Sequence, residues 1–310
     1  MTVPAVSRAT LARRVVLVTG ANSGIGLALC QRLLSEDNQI HLCMACRNMQ
    51  KAETAKSELL LSHPGADISL LKVDVGNISS VIKAAEAIKQ RYEHLDYLYL
   101  NAGIMPNPHF SLKAFLSGLL SRKVFNMFQT GEGLLIQEDW LTDDGLQQVF
   151  MTNVFGHFLL IRNLEPVLGQ AGCASQLVWT SSSNARKSAF SLTDYQHSQG
   201  QESYSSSKYA TDLLSVGLNK HYNSKICVFT NSFTRSPYNG TEALVWLFTQ
   251  KPESLDPMVK YHSCTSGLGN NYVSSRKMDV DVETAEIFYQ ELLKLEGKMK
   301  EKINITGDHS

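Results

Sequence analysis

Tyr204 and Lys208 stand four residues apart, a spacing that stacks both side chains on one face of a helix. A tyrosine near its ordinary pKa of about 10 exchanges protons poorly at neutral pH. An adjacent lysine ammonium stabilises the phenolate, and lowering the phenol by about 3 units takes about 4 kcal/mol of differential stabilisation. Such a pair turns the phenol into an acid–base group. The same spacing arises by chance on solvated helix faces, so its meaning depends on what precedes it.

What precedes it is a phosphate-binding turn. Thr19-Gly20-Ala21-Asn22-Ser23-Gly24-Ile25-Gly26 lies between an apolar strand-like run and a helical pattern. Glycines permit the tight turn and a close approach of backbone to a pyrophosphate, which the free N–H groups of the helix N-terminus then hold. A glycine triplet alone is a weak signal; strand before and helix after make it a dinucleotide fingerprint. A cofactor whose ribose 2′-OH is free calls for an acidic residue after the second strand. Here that end reads Met44-Ala45-Cys46-Arg47-Asn48, with no carboxylate. The planar fork of Arg47 suits a 2′-phosphate, so the expected cofactor is NADPH/NADP. Asp74-Val75, closing the third strand, is expected at the adenine edge, and Asn101-Ala102-Gly103, closing the fourth, along the cofactor.

The elements that must carry these residues alternate strictly. Strands are predicted at 14–19, 40–46, 68–75, 97–103 and 175–182, and helices after 24, at 49–62, 78–92, 144–168 and 205–222. Such alternation makes an α/β fold, a Rossmann-type doubly wound parallel sheet, here as a single domain over 1–310. Helices at 241–250 and 281–302 and a short strand at 271–273 complete the reading. Residues 1–13 show no pattern and are expected to be disordered, and 104–140 form an apolar insert.

Composition narrows the classes. Basic and acidic residues number 29 each, so the net charge of zero gives no electrostatic footprint for nucleic acid. Six cysteines do not suggest a disulfide framework, and the C-x-x-C of Cys43 and Cys46 has no partner pair, so no metal site is expected. No signal peptide or spanning segment is expected, and the sequons at Asn77, Asn239 and Asn304 read as chance matches.

Taken in order, the glycine loop, Asp74-Val75, Asn101-Ala102-Gly103, Asn153 and Tyr204-x-x-x-Lys208 resemble the short-chain dehydrogenase/reductase family over residues 14–222. The resemblance implies that Tyr204 transfers the proton and that Lys208 binds the ribose and tunes Tyr204. Asn153, within Met151–His157, would hold a relay water, and a serine would polarise the carbonyl. For that serine the family spacing of twelve intervening residues selects Ser191, whereas position at the end of the fifth strand selects Ser182 or Ser181. Ser182 is preferred, because a strand end fixes the hydroxyl while Ser191 lies in a polar loop.

Within that family, HLCMACRNM (41–49), VFGHFLLIRNLEP (154–166), PYNGTEALVWLF (237–248) and QKPESLDP (250–257) resemble a branch that reduces steroid ketones. This implies NADPH-dependent reduction of a sterol 3-ketone or steroid 17-ketone at the cytosolic face of the endoplasmic reticulum membrane. Contact with the membrane surface and a homodimer remain open. The chain departs from the pattern after Ser224: no Pro-Gly pair follows, and residues 225–237 look like the junction of an internal deletion, with Ile226–Thr230 as a substitute sixth strand. Two other readings stay open: reduction of another lipophilic carbonyl or retinoid, and an impaired chain that only binds cofactor or partners.

Overall fold

The computed structural model describes residues 13–106, 109–110, 135–136, 138–170, 174–222, 225–233 and 236–307. Most of the apolar insert and all of residues 1–12 lie outside the described residues.

β1 (Val15–Thr19), β2 (His41–Cys46), β3 (Asp67–Lys72), β4 (Tyr97–Leu100) and β5 (Ser175–Thr180) form the expected parallel ladder. The runs of β1, β2, β4 and β5 are buried on both faces, as a central parallel sheet requires, while β3 at the sheet edge is half-buried. Between them run α1 (Gly24–Glu36), α2 (Met49–Ser62) and α3 (Ile78–Arg91). The side chains of Asn48 and Asn77 cap α2 and α3 by accepting the N–H of Lys51 and of Ser80.

The fourth crossover helix is shorter than its apolar pattern. Here α4 denotes residues 148–164, assembled from Gln148–Phe150, a wide π turn at Met151–Phe155 and Gly156–Leu164. Its first residues accept capping from Asp139, whose carboxylate takes the N–H of Val149, and a Pro166-containing tight turn ends it. α5 (Ser203–Tyr222) follows β5, and β6 (Ile226–Phe233) then pairs in parallel with it. The junction after Ser224 therefore carries a complete sixth strand, longer than the Ile226–Thr230 segment expected.

Beyond β6, α6 (Glu242–Thr249) leads into β7 (Val259–Thr265) and β8 (Asn271–Lys277), and α7 (Val282–Gly307) ends the chain. β7 joins β6 in parallel and β8 turns back antiparallel to it, giving the sheet order β8-β7-β6-β5-β4-β1-β2-β3. The short strand expected at 271–273 is thus one arm of a hairpin whose other arm, Val259–Thr265, carries Lys260 and His262 as well as apolar residues. The sheet divides the core in two. α3, α4, α5 and α7 cover one face, and α1, α2 and α6 cover the other.

Candidate active site

β3, β4 and β5 all end a few residues earlier than their apolar runs, so Asp74-Val75, Asn101-Gly103 and Ser181-Ser182 emerge just beyond the carboxyl edge of the sheet. Backbone groups released there are taken by side chains. Thr19 Oγ1 accepts the N–H groups of Asn101 and Ala102 at 2.9 and 3.0 Å, and the Asn101 amide donates to Thr19 O at 3.1 Å. Ser80 and Asp74 close the β3 turn in the same way, through the Asp74 carboxylate and the N–H of Gly76. This edge is where open α/β sheets bind ligands.

A cleft of about 530 Å³ opens over it. Thr19, Gly20, Asn22, Ser23, Ile25, Arg47, Asp74, Val75, Asn101, Ala102, Gly103, Tyr204 and Lys208 all line it. Gly20 takes φ +68° and Gly24 φ +55°, where a side chain is strained. A Cβ on Gly26 would fall 2.2 Å from the Gly20 carbonyl, so the turn and α1 lie against each other with no room for one. Ser23 makes no side-chain cap, which leaves the first-turn N–H groups of α1 open to an anion. The Arg47 side chain is 72% exposed and its guanidinium lies 3.8 Å from the Asp74 carboxylate.

At the other end of the cleft α5 presents Tyr204 and Lys208 on one face. Lys208 is buried. Its Nζ donates to Thr180 O at 2.7 Å and lies 5.5 Å from the centre of the Tyr204 ring. Burial lowers the Lys208 ammonium to about 8, against the pull of Asp212. Burial raises the Tyr204 phenol, and a hydrogen bond with the Ser182 side chain partly offsets the rise. Ser182 is buried and its hydroxyl also takes the N–H of Asn184 at 3.0 Å. Ser191 is exposed and bonds the Thr193 hydroxyl at 2.9 Å. The geometry brings Ser182, and not Ser191, to Tyr204.

Asn153 sits in the π turn of α4, fully buried. Its Oδ1 accepts the N–H of Ile104 at 2.8 Å, and its Nδ2 donates to Ile104 O at 2.9 Å and to Ser207 Oγ at 3.0 Å. A Cβ on Gly103 would stand 3.1 Å from that Oδ1. The wide turn aims Asn153 inward at the strand–helix junction, tying the Asn101–Ile104 segment to α5.

Other groups at this edge had no motif to announce them. His157, one helical turn past Asn153, brings Nε2 within 3.0 Å of Thr19 Oγ1, and burial lowers it to about 3. Asp212, one turn past Lys208, is ion-paired with Lys260 of β7. Asp212 continues a visible i, i+4 series, whereas nothing in the chain's order points to Lys260. These two line a second cavity of about 560 Å³ together with Ser182, Arg186, His262 and Arg276. No cluster of metal-ligating residues is found among the described residues, and Cys43 and Cys46 are buried thiols raised by burial.

Comparison with known proteins adds three findings. The 3-keto-steroid reductase/17-beta-hydroxysteroid dehydrogenase 7 of Homo sapiens is 54% identical over 333 residues, covering 96% of this chain and 98% of the relative. The protein of the same name from Rattus norvegicus is also 54% identical, over 96% of this chain and all of the relative. Both alignments run longer than the 310 residues of this chain, so each relative carries residues with no counterpart here. Among solved structures, the menthone neomenthol reductase from Mentha piperita shares the fold at a TM-score of 0.60 and 22% identity, covering 81% of this chain and 99% of that one. The short chain dehydrogenase profile matches residues 14–239, and the chain belongs to the short-chain dehydrogenase/reductase family.

Proposed function

We propose that this chain is an NADPH-dependent reductase of a steroid or sterol ketone. The observation that carries the chemistry is the contact of Ser182 with Tyr204, on a helix that also places Lys208 in the cleft. The substrate class rests on the 54% identity, over nearly the whole chain, to relatives named 3-keto-steroid reductase/17-beta-hydroxysteroid dehydrogenase 7.

The residues present fit a nicotinamide dinucleotide. The glycine turn and the uncapped N-terminus of α1 would hold its pyrophosphate. Arg47 would take a 2′-phosphate, with Asp74 and Val75 beside the adenine and Asn101–Gly103 along the nicotinamide half. When bound, the dinucleotide supplies the hydride. Lys208 would bind its ribose, held in place by Thr180 O.

The chain's own groups then handle the proton. Burial keeps the Tyr204 phenol protonated at neutral pH, the state that a donor to a developing alkoxide needs. Ser182 would donate its hydroxyl to the ketone oxygen, polarising the carbonyl and orienting it towards Tyr204 Oη. Lys208, largely an ammonium at pH 7, stabilises the phenolate left after transfer. Asn153 holds Ile104 and Ser207, and through them the two flanks of the Tyr204–Lys208 pair.

The reading carries with it a site of action at the cytosolic face of the endoplasmic reticulum membrane. Among the described residues no helix is long and apolar enough to cross one. NADPH oxidation by the purified chain with a 3-keto sterol and a 17-keto steroid tests the proposal. Tyr204→Phe should lower the rate about 10²–10⁴-fold with NADPH binding retained. Turnover of small ketones but neither steroid would overturn the substrate class.

A further inference from the structure

Lys260 is a buried cation for which the reduction chemistry above has no use. It is 7% exposed, on β7, and its Nζ reaches three oxygens from two elements. These are Ser181 Oγ at 3.2 Å, the carbonyl oxygen of Ser182 at 3.1 Å, and Oδ2 of Asp212. Three acceptors exhaust the three donors of an ammonium. Asp212 is itself 4% exposed and lies one turn beyond Lys208, which lies one turn beyond Tyr204, so the three share a face of α5.

Buried ion pairs are weak sources of stability, because desolvation offsets most of the attraction. What this pair does supply is a fixed distance. Tyr204 rides on α5 and Ser182 stands on the loop that leaves β5; Ser181 Oγ donates to Lys208 O at 3.2 Å across that gap, and Arg186 of the loop reaches Glu202 and Ser205. Lys260 adds a brace from a third element, gripping the helix through Asp212 and the loop through Ser181 and Ser182.

We propose that Lys260, with Asp212, is a positioning residue for carbonyl reduction, holding the Ser182 hydroxyl against the Tyr204 phenol. The groups that face this bridge are Tyr204, Lys208 and Tyr209 on α5, His262 on β7, Arg276 on β8 and Asp279 beyond it, with Arg186 and Lys187 on the Ser182 loop. His157 of α4 lies near enough to Lys208 to feel its charge. The kinetic arm of the test rests on the reductase reading; the spectroscopic arm does not.

Two variants serve: Lys260→Met, and Lys260→Met combined with Asp212→Leu, which removes both charges of the pair should the single variant fail to fold; Lys208 then loses the pull of Asp212 and the opposing push of Lys260 together. The phenol titration of Tyr204 is read as an ultraviolet difference spectrum against the same background carrying Tyr204→Phe. Ser182 holds that titration down, so loss of the bridge should move it up by about 0.5–1 pH unit. In steady-state ketone reduction, kcat should fall about 10–100-fold, with KM and NADPH affinity within about threefold, because only the reacting geometry is disturbed. A purely structural pair would be rescued by the double variant. A titration unmoved in the double variant, or a kcat within about threefold of the parent, overturns the proposal. Should the parent chain reduce no steroid ketone, the reductase reading fails, and the titration alone decides the bridge.

Discussion

In the proposed reading Arg47 and the glycine turn would hold different parts of one ligand, and their removal should be felt differently. The Arg47 side chain is 72% exposed and lies 3.8 Å from the Asp74 carboxylate, a loose contact that it can exchange for a phosphate. Arg47→Ala should therefore cost about 1.5–3 kcal/mol of NADPH affinity, the worth of a charged hydrogen bond, and leave NADH affinity unchanged. Titration of both cofactors into both proteins checks this, and an equal loss for both would remove Arg47 from the 2′-phosphate. The two serines part in the same way. Ser182→Ala should lower ketone reduction severely with cofactor binding intact, since its hydroxyl is bonded to Tyr204, whereas Ser191→Ala, on an exposed hydroxyl, should be mild. The opposite ranking would mean that the loop refolds in the working enzyme.

At the scale of elements, α4 couples the site to stability. Its π turn shifts the helical register so that Asn153 and His157 both face the sheet edge, and a Cβ on Gly156 would fall 1.9 Å from Val75 O. The turn thus rests directly on the segment that closes β3. His157 is fully buried, edge-on to Trp179 at 5.8 Å, and burial holds it neutral with a pKa of about 3. Because the folded value lies below the unfolded value of about 6.5, its contribution is complete above pH 6.5 and is lost as the pH falls towards 3. At pH 5 that loss amounts to about 2 kcal/mol. His262, lowered to about 4 chiefly by burial, works in the same direction. Thermal unfolding of the parent and of His157→Gln at pH 7 and pH 5 isolates the term: the parent should lose more Tm than the variant. Equal losses would place the acid sensitivity elsewhere.

For the whole molecule, the relatives carry residues that have no counterpart in this chain. The glycine turn, Arg47, Asn153, Ser182, Tyr204 and Lys208 all precede β6, and β6 itself pairs fully with β5, so the cleft and the Tyr204 phenol beside it are both formed. What the longer relatives hold in their extra residues is absent from this fold. Next to Ser182 the described surface is instead a cavity rich in cationic side chains, Arg186, Lys260 and Arg276, which suits an apolar ring system poorly. Inserting an apolar segment between Phe233 and Ser236 should therefore raise kcat/KM for steroid ketones, since a carbonyl displaced by about 1 Å can lose about 100-fold in rate. Unchanged kcat/KM would make the chain a fully competent reductase as it stands.

The order of glycine turn, Asn101-Ala102-Gly103 and Tyr204-x-x-x-Lys208 was enough to foresee the parallel sheet and the cleft at its edge. These features are local: a turn needs its glycines adjacent, and one helical face needs its residues four apart, so the chain's own order records them. Ser182 was half legible, because strand position favoured it while loop spacing favoured Ser191, and only packing against α5 separates the two. Lys260, Asp212 and His157 left no trace as a set. Lys260 and Asp212 meet because β7 lies two strands from β5 and α5 crosses above both, a proximity created by the sheet and not by separation along the chain. The antiparallel β8 was legible only as the short strand at 271–273, for a related reason: half-exposed edge strands carry mixed side chains, so Asn271–Lys277 lacks the continuous apolar run that marks β1 or β4. Position along the chain determines which groups can act on a dinucleotide; the stacking of distant elements decides which serine, which cation and which histidine stand beside them.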